Sequence, residues 1–330
     1  MRTLYLHIGS SKTGTSTLQR FLFTNRDVLL TKGFYYPCEG EYFYPPESSQ
    51  SLLAHALAGQ RPAYIRKATV FRKANCVADI TRDIQKYPTK NVIISSEHFL
   101  RFAGDENREL YDMLAPHFEK IVVISYCRRQ DLHLESAFNQ NTKTGENDSP
   151  FAVYYQESLK NYLTGRFNYL QILEAFGENF GRSNLVVRPY EKGQLLNGSV
   201  VDDFASQIGC PVDEQFSPPE QRNRSLPTEL IVLIRTLNQG LPQEVRQAVA
   251  RRMRKLPIKF DQKKYTLYSP EQRQQIIDLC TPINQKIAKE YLHRADGKLF
   301  YDDVKVDLPR YPGLSKNLLV QTIKALLFTR

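Results

Sequence analysis

Small residues, hydroxyl residues and a single lysine are concentrated in one stretch near the start of the chain. Residues 9–17 read GSSKTGTST, directly after the β-forming run TLYLHI and before apolar residues at helical spacing. Glycines let the backbone close around an oxyanion, Lys12 adds a full positive charge, and the first N–H groups of a helix attract anions. The stretch therefore predicts a strand, an anion-binding loop and a helix.

The order of residues in this loop differs from that of ATP-binding phosphate loops. In those loops the lysine directly follows the second glycine, whereas here Lys12 precedes Gly14. The Walker pattern therefore fails, and a simple strand–turn–helix with a surface lysine remains an alternative interpretation.

Two later apolar runs also end in residues that could do chemistry. The run NVIIS is followed within three residues by Glu97 and His98, and the run KIVVISY is followed by Arg128 and, on the next predicted helix, Ser136. Unbroken β-branched runs are typical of strands buried on both faces of a parallel sheet, and ligands bind at the carboxyl edge of such sheets. We therefore expect Lys12, a base and an arginine to meet at one edge.

Strands and helices alternate in the first part of the predicted structure. After residue 200 the sequence predicts helices only. The predicted fold class is therefore α/β, with a P-loop-like parallel sheet flanked by helices and a helical C-terminal half. We expect a single domain over residues 1–330, with a cofactor-binding core at 1–190 and a mostly helical extension at 200–330.

The composition is that of a globular protein with an excess of positive charge. Lys and Arg number 45 against 35 Asp and Glu, a balance that suits an anionic ligand, a nucleic acid or a membrane surface. The five cysteines are scattered and form no C-x-x-C pair, which argues against a disulfide framework or a zinc site. We recognise no signal peptide and no apolar stretch of about 18 residues. We therefore expect a reducing, cytoplasmic location and no transmembrane segment.

Two of these motifs resemble the cofactor motifs of sulfotransferases that use 3′-phosphoadenylyl sulfate (PAPS). LHIGSSKTGTSTLQ resembles their 5′-phosphosulfate loop, and YCRRQDLHLESAFNQ resembles their 3′-phosphate motif, an arginine at a strand end with a serine eight positions later. NLVVRPYEKGQLL is similar to a later strand and turn of the family, and RNRSLPTEL resembles a segment of bacterial carbohydrate-type members. The resemblance covers residues 3–240 and implies that family's P-loop fold.

The resemblance implies a role for residues in each motif. Lys12 would contact the phosphosulfate bridge and stabilise the leaving phosphate. The 5′-phosphate would be bound by the residues around it, namely Ser11, Thr13, Gly14, Thr15 and Ser16. Arg128 and Ser136 would hold the 3′-phosphate, for which arginine is well suited because it can bind two oxygens at once. Tyr190 would lie near the adenine, with Arg188 beside it, although both positions also fit a packed core.

The sequence departs from the family pattern at two places. Ser11 stands where many members have a proline before the lysine. The C-terminal loop of the R-K-G-x-x-G-x-W-K type is absent, and the chain contains no tryptophan. We expect a different segment to replace that third cofactor-binding element, and the candidates are Arg222, Asn223, Arg224 and Ser225.

The base that accepts the proton of the acceptor has two candidates. Glu97 is the first, because some carbohydrate sulfotransferases use a glutamate, and His98 is the second, because cytosolic members use a histidine after a comparable strand. Side chains alternate along an extended segment, so only one of the two is expected to face the cleft. A structural ion pair for Glu97 and a packed histidine for His98 are the alternatives.

The predicted activity is transfer of a sulfuryl group from PAPS to a hydroxyl or amine. The expected acceptor is a small molecule or glycan, with a saccharide or glycolipid as the favoured class. No metal is expected, because lysine, arginine and helix dipoles supply the positive charge, and no nucleic acid partner is expected. One rival is a P-loop kinase or NTPase, which would need a G-K-[ST] triplet and a Walker-B aspartate. The other is a non-catalytic module that binds anions or nucleic acid.

Two further segments have open interpretations. Residues 39–50 (EGEYFYPPESSQ) have loop composition and are either a surface loop or an acceptor-binding lid that carries Tyr42, Phe43 and Tyr44. Residues 314–328 form an amphipathic stretch. It predicts a docked terminal helix or a dimer contact, and peripheral membrane contact is the alternative.

Overall fold

The structure is a computed structural model of the chain. It describes residues 1–62, 65, 71–102, 104–160, 165, 167–218, 226–258, 260, 263–304 and 308–328. The chain divides into two compact units, each made of three segments. The first unit comprises 1–129, 168–222 and 282–302, and the second comprises 130–167, 223–281 and 303–330.

The first unit contains a five-stranded parallel sheet with the strand order β2-β3-β1-β4-β5. The strands are β1 Thr3–His7, β2 Phe34–Tyr35, β3 Asn91–Ser95, β4 Lys120–Cys127 and β5 Leu185–Pro189. This sheet, flanked by helices, confirms the α/β prediction. The apolar runs that predicted strands at 91–95 and 120–126 are buried in it, since a central parallel strand is covered on both faces.

Thirteen α-helices are present in the part of the chain that the structure describes. They are α1 Thr15–Thr24, α2 Arg26–Thr31, α3 Ser51–Leu57, α4 Lys73–Ile84, α5 Asp105–Leu114, α6 Gln130–Lys143, α7 Phe151–Lys160, α8 Tyr169–Phe180, α9 Val200–Gln207, α10 Thr228–Asn238, α11 Gln243–Met253, α12 Pro270–Tyr291 and α13 Lys316–Phe328. From residue 200 onward the described elements are helical, as predicted.

The strand order fixes where a ligand can bind. The chain leaves β1 towards β2 on one side of the sheet, and it leaves β4 towards β5 on the other side. The two neighbouring strands β1 and β4 therefore form a topological switch point, where the connections diverge and leave a crevice at the carboxyl edge. The loop with Lys12 follows β1, and Arg128 follows β4.

The second unit has a small apolar core of its own. The core residues come from α10, α11 and the turn after α11, and they are Leu230, Leu233, Ile234, Ala250, Met253 and Leu256. A buried ion pair joins Arg273 Nη1 to Asp131 Oδ2 at 2.5 Å within the same unit. The two units do not coincide with the predicted core at 1–190 and extension at 200–330. Residues 282–302 belong to the sheet unit, and residues 130–167 belong to the second unit. The single domain stays a prediction.

The loop at residues 39–50 is packed at Tyr42, Phe43 and residues 48–50, and exposed at residues 39–41 and 45–46. Tyr42 and Phe43 are buried, and the Tyr42 hydroxyl donates a hydrogen bond to Asp83. The Gln50 side chain joins this loop to the sheet, because Gln50 Oε1 accepts a hydrogen bond from the N–H of Ser95 at 2.7 Å. The lid interpretation is therefore wrong for Tyr42 and Phe43. Their side chains complete the core instead.

No helix among the described residues has both the length and the apolar character that crossing a membrane requires.

Candidate functional site

The loop after β1 is fixed by backbone bonds to β4. Past the end of β1, Ser10 N donates to Tyr126 O at 2.8 Å, and Tyr126 N donates to Gly9 O at 2.6 Å. The pairing between the two strands therefore continues into the first residues of the loop. This places the loop backbone at the switch point of the sheet.

Lys12 is held in an unusual backbone conformation. Its φ is +67°, in the left-handed region that side chains other than glycine seldom adopt. Arg128 Nη1 donates a hydrogen bond to Lys12 O at 2.6 Å, and Thr13 Oγ1 donates to Ser10 O at 2.5 Å. Strained conformations persist where surrounding contacts determine them, and they cluster at ligand sites. The lysine identified from the sequence is thus held by the arginine identified from the sequence.

Gly14 begins helix α1. Its φ is +76°, and as the N-cap residue it has no side chain that could occupy the end of the helix. The first turn of α1 itself contains no acidic residue, although the Glu97 carboxylate contacts the hydroxyl of its first residue, Thr15. A Cβ atom at Gly14 would lie 2.9 Å from Val200 Cγ1 and 3.3 Å from Tyr190 Oη. Tyr190 therefore lies against the loop, at one of the glycines predicted to bind phosphate.

Glu97 lies on the other side of the same loop. The Thr15 hydroxyl donates a hydrogen bond to Glu97 Oε2, and a Cβ at Gly9 would lie 3.1 Å from Glu97 Cα. The backbone that leads to Glu97 is held by Ser96 N, which donates to His7 O at 3.0 Å. The carboxylate predicted as the base is therefore in contact with the anion loop.

A second carboxylate lies near Glu97. Burial raises the pKa of Glu47, the negative charge of Glu97 adds to the rise, and hydrogen bonds with Ser51 and Ser49 oppose it. Glu47 has no distinguishing signal in the sequence, because it lies in the Pro-rich segment of residues 39–50. The electrostatic interaction shows that this loop contributes a charged group close to the carboxyl edge of the sheet.

His98 contacts a different element from Glu97. Its ring centroid is 4.4 Å from that of His55 on α3. Burial lowers the pKa of His98 to about 4, with the charge of Arg101 adding to the effect. For His55, burial, His98 and Arg101 lower the pKa, also to about 4. Both rings are therefore neutral at pH 7. Glu97 and His98 lie in a 3₁₀ helix, Glu97–Arg101, so the extended segment on which the expected alternation rested is wrong, although the two side chains do have separate contacts.

The two arginines after β4 have different partners. Arg128 binds the loop, whereas Arg129 is buried and its Nη1 donates to Asp302 O at 2.8 Å. Tyr169 Oη donates to Arg128 O at 2.8 Å, which fixes the backbone at this strand end. Ser136 lies on α6 in the second unit, and its role in binding a 3′-phosphate stays a sequence-based prediction.

Arg188 forms an ion pair within the sheet unit. Its Nε donates to Asp203 Oδ1 at 2.9 Å and its Nη2 to Asp203 Oδ2 at 2.5 Å, and Asp203 is buried. The Tyr126 hydroxyl also donates to Asp203 Oδ1, at 2.8 Å. These contacts fit a structural role for Arg188. Cofactor binding by Arg188 stays a prediction from the sequence.

His7 is a buried polar residue that the sequence analysis missed. It lies at the end of β1 with Nδ1 2.8 Å from Ser95 Oγ, and the rings of Tyr126 and Phe204 pack around it. Within the described structure its Nε2 has no hydrogen-bond partner. Burial lowers the pKa of His7 to about 3. In the sequence, His7 is marked by being an ionisable residue inside the β-forming run TLYLHI.

The remaining predicted site residues are the segment 222–225 and two serines of the loop region. The segment proposed to replace the third cofactor-binding element, Arg222, Asn223, Arg224 and Ser225, lies outside the described residues. Ser11 and Ser16 lie in the loop and at the second position of α1, where Ser16 is exposed. In the described ranges, no three His, Cys, Asp or Glu side chains are grouped as metal ligands would be.

Comparison with known proteins gives few matches. No protein-family profile matches the chain. An uncharacterized protein of Archaeoglobus fulgidus is 28% identical over 203 residues, which cover 61% of this chain and 53% of that protein. The chain thus spans about half the length of the curated relative that it matches.

Two solved structures share similarity with the chain. A sulfotransferase from Alicyclobacillus acidocaldarius is 17% identical with a TM-score of 0.44, over 76% of this chain and 96% of that one. The sulfotransferase domain from the curacin biosynthetic pathway is 12% identical with a TM-score of 0.40, over 85% and 98% of the two chains. Because both TM-scores are below 0.5, we base the function on the site itself.

Proposed function

We propose that the protein is a sulfotransferase that moves a sulfuryl group from PAPS to a hydroxyl or amine of an acceptor, with a saccharide or glycolipid as the acceptor class. The observation that carries the proposal is the position of Lys12. It is held in a left-handed conformation by Arg128, directly before the N-terminus of α1, and the same loop is in contact with Glu97. An anion-binding loop, a cation and a candidate base thus share one edge.

The loop fits the phosphate end of such a donor. Backbone N–H groups at the start of α1 and the exposed hydroxyl of Ser16 are the kinds of donor that bind a phosphate at a helix N-terminus, whereas the Thr15 hydroxyl donates its hydrogen bond to Glu97. The close packing of Val200 and Tyr190 on Gly14 keeps that position free of any side chain larger than hydrogen. Val200 and Tyr190 thus occupy the side of Gly14 that a side chain would take, and we expect the anion at the N–H groups of α1.

Lys12 stabilises negative charge on the departing phosphate in this proposal. A preorganised cation at the place where charge develops lowers the barrier more than it strengthens ground-state binding. Its backbone geometry is fixed before the ligand arrives, because Arg128 holds Lys12 O and Thr13 holds Ser10 O. Little reorganisation is then needed during transfer.

Arg128 serves two purposes in the proposal. One N–H group of its guanidinium holds the loop at Lys12 O, and arginine has five N–H donors in a planar fork. The motif that predicted a 3′-phosphate site assigns to this guanidinium a second anionic group of the ligand. The Arg129 side chain is buried instead, and its guanidinium donates a hydrogen bond to Asp302 O.

Glu97 is the base in the proposal and accepts the proton of the attacking hydroxyl or amine. A base must lie within hydrogen-bond reach of the reacting group, and geometry is considered before pKa. Glu97 touches the loop that carries Lys12, whereas the contacts of His98 are made with His55. The acceptor class rests on the sequence resemblance to carbohydrate-type members.

One contact also favours the rival kinase or NTPase function. P-loop NTPases hold Mg²⁺ between a loop Ser or Thr hydroxyl and an acidic residue at the end of a strand, and Thr15 and Glu97 are such a pair on neighbouring elements. The position of Lys12 before Gly14 argues against this rival, because it departs from the G-K-[ST] order of those loops.

Calorimetric titration with adenosine 3′,5′-bisphosphate distinguishes the two functions, with ATP and Mg²⁺ as the comparison ligand. We expect the bisphosphate to bind without a requirement for Mg²⁺ and to bind more tightly than ATP–Mg²⁺. Lys120, at the opposite edge of the sheet, gives a control variant, Lys120→Ala, that should bind like the wild type. Binding of ATP only, and only with Mg²⁺, would contradict the proposal and support the rival.

A further inference from the structure

An apolar stripe is exposed on helix α13. Five of the twelve exposed large apolar side chains among the described residues lie on this one helix, and they are Leu319, Val320, Ile323, Leu327 and Phe328. Val320, Ile323 and Leu327 follow the spacing of one helix face. The exposed fraction of the side chain is 56% for Ile323 and 72% for Leu327.

The opposite face of α13 is packed. Leu318 and Thr322 are buried, and Ala325 and Leu326 pack against the small core of the second unit. The helix is therefore docked along one side, as the sequence predicted. Because docking leaves Val320, Ile323 and Leu327 exposed, it does not account for the apolar residues of the outer side.

Positive charge borders the exposed stripe. Lys316 and Lys324 lie four residues before and after Val320, so they are its neighbours on the helix surface. Residues 308–330 contain Arg310, Lys316, Lys324 and Arg330 and no acidic residue. The second unit as a whole carries 19 Lys and Arg against 12 Asp and Glu. The charged residues of segment 308–330 are therefore all positive, within a unit that has a positive excess.

We propose that the outer face of α13 docks on an anionic lipid surface. An apolar helix face bordered by lysines lies in the plane of a membrane interface, with its apolar side chains in the headgroup and acyl boundary and its lysines at anionic headgroups. A second copy of the chain fits less well, because pairing two such faces brings lysines towards lysines. The charge complementarity thus selects anionic lipid as the occupant.

The test is co-sedimentation of the full chain with vesicles of phosphatidylcholine alone or phosphatidylcholine mixed with phosphatidylserine. We expect binding to the mixed vesicles that weakens at high salt, and little binding to the neutral ones. The variant Ile323→Asn/Leu327→Asn should weaken binding by at least about tenfold, since each side chain loses its apolar burial. Lys316→Gln and Lys324→Gln should each weaken it about fivefold.

A matched control and a second measurement keep the result interpretable. Val245 on α11 is another exposed aliphatic side chain of the second unit, with an exposed fraction of 44%, so Val245→Asn should bind like the wild type. Circular dichroism should show all variants folded, because the changed side chains are exposed. Binding that survives Ile323→Asn/Leu327→Asn, or its absence from both kinds of vesicle, overturns the proposal. A dimer that this variant dissociates, without vesicle binding, would instead identify a contact between two copies.

Discussion

The Thr15 hydroxyl donates a hydrogen bond to Glu97 Oε2, which joins the first residue of α1 to the turn after β3. The two residues are far apart in the sequence, and they meet because β3 pairs with β1 in parallel, with Ser95 opposite His7. The contact brings the predicted base to the predicted anion loop. The proposed role of Glu97 as the base depends on this contact.

Replacing Lys12 with alanine should lower the rate of sulfuryl transfer by at least about 10²-fold, which is the scale for losing one preorganised donor at developing charge. Binding of adenosine 3′,5′-bisphosphate should weaken less than turnover. Steady-state kinetics with any acceptor that turns over, together with calorimetry, measures both effects. Lys120→Ala is the control, and a loss of less than about threefold for Lys12→Ala would remove the lysine from the mechanism.

Replacing Arg128 with alanine should weaken binding of adenosine 3′,5′-bisphosphate more than binding of adenosine 5′-phosphate. The difference should be about 1.5–3 kcal/mol, the range for a charge-assisted hydrogen bond. Losing the contact to Lys12 O affects the loop and hence both ligands, so the difference between them isolates the second phosphate. Calorimetry with both ligands measures it. Lys120→Ala, at the exposed start of β4, is the control. Equal weakening of both ligands by Arg128→Ala would restrict this arginine to holding the loop.

Replacing Glu97 with glutamine should lower turnover by about 10²–10⁴-fold with donor affinity nearly unchanged, because the general base is lost. Glutamine still offers an oxygen to the Thr15 hydroxyl, so the loop geometry is kept. Initial rates at several pH values measure the effect. His98→Asn is the comparison and should do much less. Near-normal turnover of Glu97→Gln beside an inactive His98→Asn would assign the base to His98.

Replacing Gly14 with alanine should weaken donor binding by at least about tenfold, because a Cβ there meets Val200 and Tyr190 in a backbone conformation with φ of +76°. Adding Val200→Ala removes the nearest atom and should restore part of the affinity. Gly59→Ala is the control and should bind the donor like the wild type, since Gly59 also has a positive φ but lies outside the loop and has no neighbour within 4 Å. Calorimetry of the variants measures the effect, and unchanged binding by Gly14→Ala would mean that no ligand approaches this glycine.

Acidification should destabilise the protein through its buried histidines. The folded pKa of His7 is about 3, below the value of about 6.5 in an unfolded chain. Between these values the unfolded state binds the proton and the folded state does not, so stability falls as pH falls through this window. Each such histidine contributes up to about 1.4 kcal/mol per pH unit.

Urea unfolding across that pH window measures this effect. His7→Phe keeps a ring in the pocket and removes the titrating group, so its free energy of unfolding should fall less steeply with acidification than that of the wild type. His293→Gln, at an exposed histidine, is the control. Parallel curves for His7→Phe and the wild type would show that another group causes the acid sensitivity.

The sequence by itself determined the parts of the sheet and of the site that depend on local pattern. Apolar β-branched runs gave strands at residues 91–95 and 120–126, because a strand covered on both faces needs side chains of that kind. Gly9 and Gly14 predicted the turn from β1 into α1, and both adopt the positive φ that glycine tolerates, whereas the positive φ of Lys12 had no signal in the sequence. Docking of the amphipathic stretch at 314–328 followed from helical periodicity.

Only the tertiary structure decided which side chains meet. Parallel strands pair over long sequence separations, so the order that puts β1 between β3 and β4 cannot be obtained from any local pattern. That order brings Glu97 rather than His98 to Thr15 and turns Arg128 rather than Arg129 towards Lys12 O. It also buries His7, because the last residue of a central strand is covered by its neighbours whatever its polarity.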